Sequence, residues 1–306
     1  MEVNNGFLII DKGKNCTSHD CVYRVRKILN IKKVGHTGTL DPQVTGVLPL
    51  ALGSATRFIQ YLPQEKTYCG IIQLGIKTTT DDISGEIIAE KIWPKLNFNE
   101  LNIVLDFFRG TFNQTPPNVS SVHINGERAY KRSWKKENFI LPAKKVSVSQ
   151  LKLIKWDQKK GQLTIEITCS AGTYIRSIAR DLGTRLKSEG CLLNLRRIKA
   201  SGFKEDISIN LDKLIKEKHN INKNIIPISS ALSHLPKLHL NNDQDILYWQ
   251  TGRQIQLNEE NLDDHRESFC NKYFLVFDIK YQLLGIGITN SKNSFCLQPK
   301  LVLNAK

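Results

Sequence analysis

Little in this 306-residue sequence serves a metal site, a secreted scaffold or a membrane span. Its seven cysteines (Cys16, Cys21, Cys69, Cys169, Cys191, Cys270 and Cys296) are odd in number and scattered, with no C-x-x-C pair. That spacing argues against a disulfide framework and a zinc site, and fits reduced thiols in a cytoplasmic protein. No apolar run approaches the ~20 residues a membrane-spanning helix needs. Met1-Glu2-Val3-Asn4-Asn5 has neither the basic region nor the apolar core of a secretory signal. A single methionine argues against a Met-rich docking surface, and no internal repeat stands out. Acids are scarce beside bases, 29 Asp and Glu against 44 Lys and Arg, for a formal charge of +15. The surplus suggests a polyanionic partner, nucleic acid first, although a lysine-rich composition also serves solubility.

The length suits one large domain or two smaller ones, and 40% hydrophobic residues supply a real core. Phe7-Leu8-Ile9-Ile10 reads as a buried strand, and Thr17 or Ser18 can cap a helix running to about Asn30. A short helix near Ser54 and a strand over Thr67–Gly75, with Tyr68, Ile72 and Leu74 on one face, come next. From about Asn99, helical spacing runs to Gly110. Gln114 to Lys136 is too long and too rich in breakers for an ordinary connection, which marks it as functional or mobile. Gln162–Cys169 alternates cleanly as a strand. A helix then starts at Gly172-Thr173, with Tyr174 and Arg176 in its first turn. Residues 204–230 are polar and lysine-rich and read as a boundary. Pro236–Leu240, Tyr273–Ile279, Leu283–Thr289 and Phe295–Val302 then suggest a small β domain.

The most informative stretch is Gly35-His36-Thr37-Gly38-Thr39-Leu40-Asp41-Pro42, running on to Thr45-Gly46-Val47-Leu48-Pro49. Proline holds Asp41 out of the α region, so one carboxylate sits at a rigid corner among glycines. Aspartate before proline is common in plain turns, whereas a reactive carboxylate also benefits from such fixing. Nucleophile, general base and electrostatic stabiliser all remain open to it.

Together with Gly6-Phe7-Leu8-Ile9-Ile10-Asp11-Lys12, Lys66-Thr67-Tyr68, Thr78-Thr79-Thr80-Asp81, Gln114-Thr115-Pro116-Pro117, Cys169 to Arg176 and Leu195-Arg196-Arg197, this stretch resembles the tRNA pseudouridine synthase B (TruB) family. The likeness spans nearly the whole first 200 residues. It implies an α/β (α+β) pseudouridine synthase fold with a largely antiparallel mixed sheet, plus a small C-terminal β (PUA-like) domain. The division expected is a catalytic domain over 1–230, with an RNA-clamping insertion at about 114–140, and an RNA-binding domain over 231–306. The implied reaction turns uridine into pseudouridine at position 55 of the tRNA T-loop, with neither cofactor nor metal. Asp41 matches the essential carboxylate, Arg176 its arginine partner, and Tyr68 a ring that stacks on the uracil. His36 is implied at the base-flipping step, and Tyr174 and Leu195 at the substrate site. Lys131 and Arg132, with Lys135 and Lys136, are implied in clamping the RNA. The tRNA T-arm is the expected partner, with no membrane, and the chain is expected to act as a monomer in the cytoplasm. Gly13 stands where the family usually has proline, and Ser133-Trp134 replace a common Ala-Arg.

Overall fold

The computed structural model describes residues 5–135, 137–216, 218–257, 272–290 and 296–303. The chain opens with β1 (Gly6–Lys12), α1 (Ser18–Leu29), β2 (Val34–His36) and β3 (Thr45–Leu52). A 3-10 helix over Gly53–Tyr61, where a short α-helix was expected, leads to β4 (Lys66–Leu74). β5 (Ile76–Thr78) and β6 (Ile87–Glu90) pair as a hairpin, followed by α2 (Phe98–Leu105) and β7 (Gly110–Gln114). The segment after Gln114 holds a small hairpin, β8 (His123–Ile124) with β9 (Glu127–Arg128), and α3 (Ala129–Trp134). β10 (Lys144–Asp157), β11 (Gln162–Cys169), α4 (Ile175–Arg185) and β12 (Gly190–Ala200) complete the main body.

The main sheet runs β1, β3, β12, β4, β11, β10, β7, with Ile225–Ile226 outside β1 and β2 beside β3. All neighbours are antiparallel except β12 with β3, which pair in parallel where Arg197 meets Gly46. The sheet is thus mixed and largely antiparallel, as expected.

β1 shows why its sequence is apolar throughout. Phe7 and Ile9 join one core, while Leu8 and Ile10 join another on the opposite face. A strand covered on both sides reads as an unbroken hydrophobic run rather than an alternating one. The Leu8 and Ile10 face packs against α1 and α4. The Phe7 and Ile9 face carries Phe58 and meets Leu275, Phe277, Ile286 and Leu301 of the C-terminal sheet. That five-stranded sheet is ordered Lys237–His239, Tyr273–Phe277, Leu283–Asn290, Cys296–Val302, Ile255–Gln256. Trp249, buried on the helix Asp243–Gln250, anchors a second small core against this sheet. Phe295, expected to begin the last of these strands, lies outside the described residues, as do Cys270 and Lys136.

Local signals set the helix ends. Thr17 accepts from the Asp20 backbone N–H while the Asp20 carboxylate accepts from Thr17, a complete capping box. Asn30 closes α1 in the left-handed region at φ 53°. α4 begins later than its sequence suggests: Tyr174 is the residue before the first turn and Arg176 the second within it. The 204–230 stretch is less of a boundary than its composition implies. Asp11 N–H donates to Ile209 O at 2.9 Å, and Ile225 and Ile226 pair with β1, so the stretch lies along the sheet edge.

Candidate active site

Asp41 lies on the loop between β2 and β3, and that loop is held from several directions. The Lys12 ammonium is fully buried and donates to Gly13 O (2.8 Å), Cys16 O (2.7 Å) and Pro42 O (3.2 Å). Ser18 Oγ accepts from Leu40 N at 2.8 Å. The Arg197 guanidinium, also fully buried, donates to Val47 O (2.7 Å), Gly38 O (3.1 Å) and Thr39 O (3.4 Å). Val44 N–H donates to Asp41 O at 3.0 Å and closes the turn. Gly46 is required here: its φ is +105°, and a Cβ would stand 2.2 Å from Arg197 O. Gly35 differs, since a Cβ there would meet Thr56 and Ile59 at ordinary contact distance.

Arg176 approaches from the start of α4. Its Nη2 lies 2.9 Å from Asp41 Oδ2, with the arginine side chain 7% exposed and the aspartate 45%. A guanidinium can grip a carboxylate with two parallel hydrogen bonds. The structure shows one of them, because the rest of the guanidinium is shared. Nη1 donates to Thr80 O at 2.9 Å, Nη2 also to Val119 O at 3.1 Å, and Nε faces Asp82 Oδ2 at 3.6 Å. Next to this cluster, Arg180 pairs with Asp81 at 2.7 Å. Burial raises the Asp81 carboxyl above its usual range, and Arg180 opposes the shift. The result is a rigid cation with one open neighbour, Asp41.

Asp41 opens onto a cavity of about 280 Å³ that Tyr68, Tyr174, Arg176 and Leu195 help to line. Tyr68 projects from β4, with Ile167 and Arg197 as its register partners. Leu195 comes from β12 and crosses Gly70, where a Cβ would approach its Cδ1 to 2.8 Å. Burial pushes the Tyr68 phenol above its ordinary value, and the adjoining Arg197 opposes this. The phenol is therefore held neutral. Tyr174 bridges the cavity to the insertion: its N–H donates to Gln114 Oε1 (2.8 Å), its carbonyl accepts from Gln114 Nε2 (3.0 Å), and its ring packs on the Val122, Ala129 and Leu141 cluster.

The remaining expected residues stand off the cavity. His36, at the end of β2, meets the His19 ring edge-on at 5.5 Å, and its buried Nδ1 has no hydrogen-bond partner. Lys131 and Arg132 lie on α3, where Arg132 is engaged with Glu137 at 2.6 Å and stands over the Phe139 ring. Lys135 is likewise paired with Glu127 at 2.9 Å. Among the described residues no group of three His, Cys, Asp or Glu side chains is placed to hold a metal ion.

Sequence reasoning passed over Lys12, Ser18, Asp82 and Arg197. Lys12 directly follows the apolar run of β1 and Asp11, and Arg197 lies in a mixed stretch of β12 beside Arg196, so no local pattern marks either as buried.

Comparison with known proteins places the chain in a family. The model of the TruB family pseudouridylate synthase (N terminal domain) matches residues 26–175. The chain is 56% identical to the tRNA pseudouridine synthase B of Prochlorococcus marinus (strain MIT 9301), covering 100% of both chains. It is 47% identical to the tRNA pseudouridine synthase B of Synechococcus sp. (strain CC9311), again covering 100% of both. Among solved structures, a chain of a Cbf5-Nop10-Gar1 complex superposes with a TM-score of 0.74 at 24% identity, covering 99% of this chain and 86% of that one. A likeness at that identity speaks for the fold alone. With end-to-end identity above one half to a curated relative, and the family's N-terminal model matched across the Asp41 loop, the chain belongs to the TruB family of pseudouridylate synthases.

Proposed function

We propose that the protein isomerises uridine to pseudouridine at position 55 in the T-loop of tRNA. In this reaction the C1′–N1 bond breaks, the uracil turns within the cavity, and a C1′–C5 bond forms. C5 gives up a proton and N1 gains one, so the atoms balance without a cofactor. The observation that carries the reading is the Asp41–Arg176 pair: a carboxylate held by a buried guanidinium, with its free side on a ligand-sized cavity. Tyr68 and Leu195 supply the walls for a flat base, and a neutral phenol suits stacking better than proton abstraction. Catalysis is assigned to Asp41, Arg176 and Tyr68. Tyr174 and Leu195 bind the substrate, and His36 acts in extruding the uridine.

Residues 1–230 are assigned to catalysis and 231–306 to RNA binding, with Lys131 and Arg132 facing the RNA backbone. The protein is read as a cytoplasmic monomer. The formal charge of +15 favours a tRNA partner over a neutral substrate. Incubating the protein with unmodified tRNA transcript and mapping pseudouridine by chemical labelling tests this. Label at position 55, lost in Asp41→Asn, is expected. No label in the T-loop removes the substrate assignment, and label with Asp41→Asn removes the assignment of the carboxylate.

A further inference from the structure

The cavity beside Asp41 has a cation left over. Arg176 is answered by Asp41 and Asp82, and Arg197 by three backbone carbonyls. Lys66 is answered by nothing: among the described residues no carboxylate, carbonyl or hydroxyl accepts from its ammonium. It lies at the start of β4, between Cys169 and Ala200 in register, on the same face as Tyr68. Its Nζ sits over Gly38, where a Cβ would come within 2.8 Å of it. It lines the cavity, and Asp41 is the one acid among the residues that do.

Burying an ammonium without a partner costs stability. Burial accordingly lowers the Lys66 pKa, and Arg197 nearby lowers it further. Such a group is not kept for the fold. Beside it, the Ser170–Thr173 loop leads into the N-terminal end of α4, where Gly172 leaves open space. Across the cavity a second group waits for a ligand: Ser120 Oγ is buried, the residue is 5% exposed, and the hydroxyl has no hydrogen-bond partner.

We infer that Lys66 binds a backbone phosphate of the RNA, at a linkage flanking the nucleotide whose base enters the cavity, while Ser120 donates to an oxygen of that nucleotide. This rests on the RNA reading above. A phosphodiester fits because it supplies the missing negative charge and stays attached to a flipped nucleotide. Lys66 is then a substrate-positioning cation whose charge is held in reserve until RNA arrives.

The experiment is a cycle between protein and RNA. Hairpin RNAs copying the T-arm carry a neutral methylphosphonate at either linkage flanking the target uridine. Their affinities for the wild type, Lys66→Met and Lys66→Arg are read by fluorescence anisotropy. One methylphosphonate should weaken wild-type binding about tenfold. Lys66→Met should bind the unmodified RNA about tenfold more weakly and ignore that same substitution, and Lys66→Arg should recover most of the loss. The slope of log affinity against log salt should fall by about 0.7 in Lys66→Met, one phosphate contact on a single strand. Its melting temperature should hold or rise, because an unpaired, partly buried charge has been removed. Losses that multiply at both linkages, an unchanged salt slope, or a lower melting temperature with unchanged affinity would each overturn the inference. Pseudouridine is scored in the same samples. Wild type that binds without isomerising defeats the proposed reaction, while an intact cycle still upholds the phosphate contact.

Discussion

Arg176 and Asp41 meet at 2.9 Å with very unequal exposure, 7% against 45% of their side chains. The guanidinium is fixed by Thr80 O, Val119 O and Asp82, so it cannot follow the carboxylate if Asp41 moves. The pair is a buried cation that orients a half-open anion, and one oxygen of Asp41 is left for chemistry.

Replacing Arg176 by lysine keeps the charge and discards the planar spread that reaches four acceptors at once. Arg176→Lys should fold, with a lowered melting temperature as about 1 kcal/mol is lost with each abandoned hydrogen bond. Its kcat on tRNA transcript should fall by roughly 10²-fold, with KM changed far less. Near-wild-type turnover would show that charge alone suffices. Asp41→Asn should fall further, by about 10³-fold or more, at little cost in stability, because Asp82 still faces the arginine.

The glycines of the loop separate by what a Cβ would meet. Gly46→Ala places a methyl 2.2 Å from Arg197 O at a φ of +105°. It should cost at least about 3 kcal/mol or prevent folding, since strain and clash add. Gly35→Ala meets only Thr56 and Ile59 at ordinary distance and should stay within about 1 kcal/mol of wild type. Denaturant unfolding of the two variants checks this, and equal losses would contradict it.

Lys12 carries the loop from below. Lys12→Met removes an ammonium from three carbonyls, one of them Pro42 O beside Asp41. The carbonyls are left buried and unpaired, so stability should drop by about 2–4 kcal/mol, and activity should fall at temperatures where the variant is still folded. The contrast with Lys66→Met, expected to cost no stability, is the informative comparison. The two lysines differ in partners rather than in burial alone.

Much of this was legible in the sequence because its signals were local. The alternation over Gln162–Cys169 gave β11 with matching ends, and the cap expected at Thr17 or Ser18 gave the start of α1. β3, β10 and β12 were harder to see. β3 is buried along nearly its whole length, so no alternation shows, and bulges interrupt the register of β10 and β12. The Asp41–Arg176 pairing came from family resemblance, and no local pattern could supply it, since the partners are joined only by the folded sheet. The sharing of Arg176 with Asp82 was missed for the same reason. Lys131 and Arg132 were read as clamp cations from the family resemblance, which does not reveal that Glu137 already engages Arg132.

Tyr68 separates ring from hydroxyl. Its phenol is raised by burial and lies beside the buried guanidinium of Arg197. Tyr68→Phe keeps the stacking surface and takes one polar neighbour from Arg197, so it should lose about 1–2 kcal/mol of stability while binding RNA normally. Tyr68→Leu should also weaken binding of a hairpin carrying the target uridine, by about 1–3 kcal/mol of lost stacking. If both variants bind alike, the ring does not hold the base.

His36 gives the protein a pH dependence whose sign follows from its surroundings. Burial lowers its pKa first, and His19, Arg197 and Lys66 lower it further. The folded protein therefore prefers the neutral ring, while the unfolded chain takes up a proton near pH 6.5. Between the two values the unfolded state binds more protons, so stability rises with pH. The His36 contribution should be complete above about pH 6.5 and be lost as the pH falls through the lower, folded-state value. In His36→Gln, melting temperature should vary less steeply between about pH 5 and 7 than in wild type. Carboxylates titrating at the acid end affect both proteins equally, so the difference between the slopes belongs to His36. Parallel curves would mean that the ring is accommodated equally well in either protonation state, despite its buried Nδ1 and the cations around it.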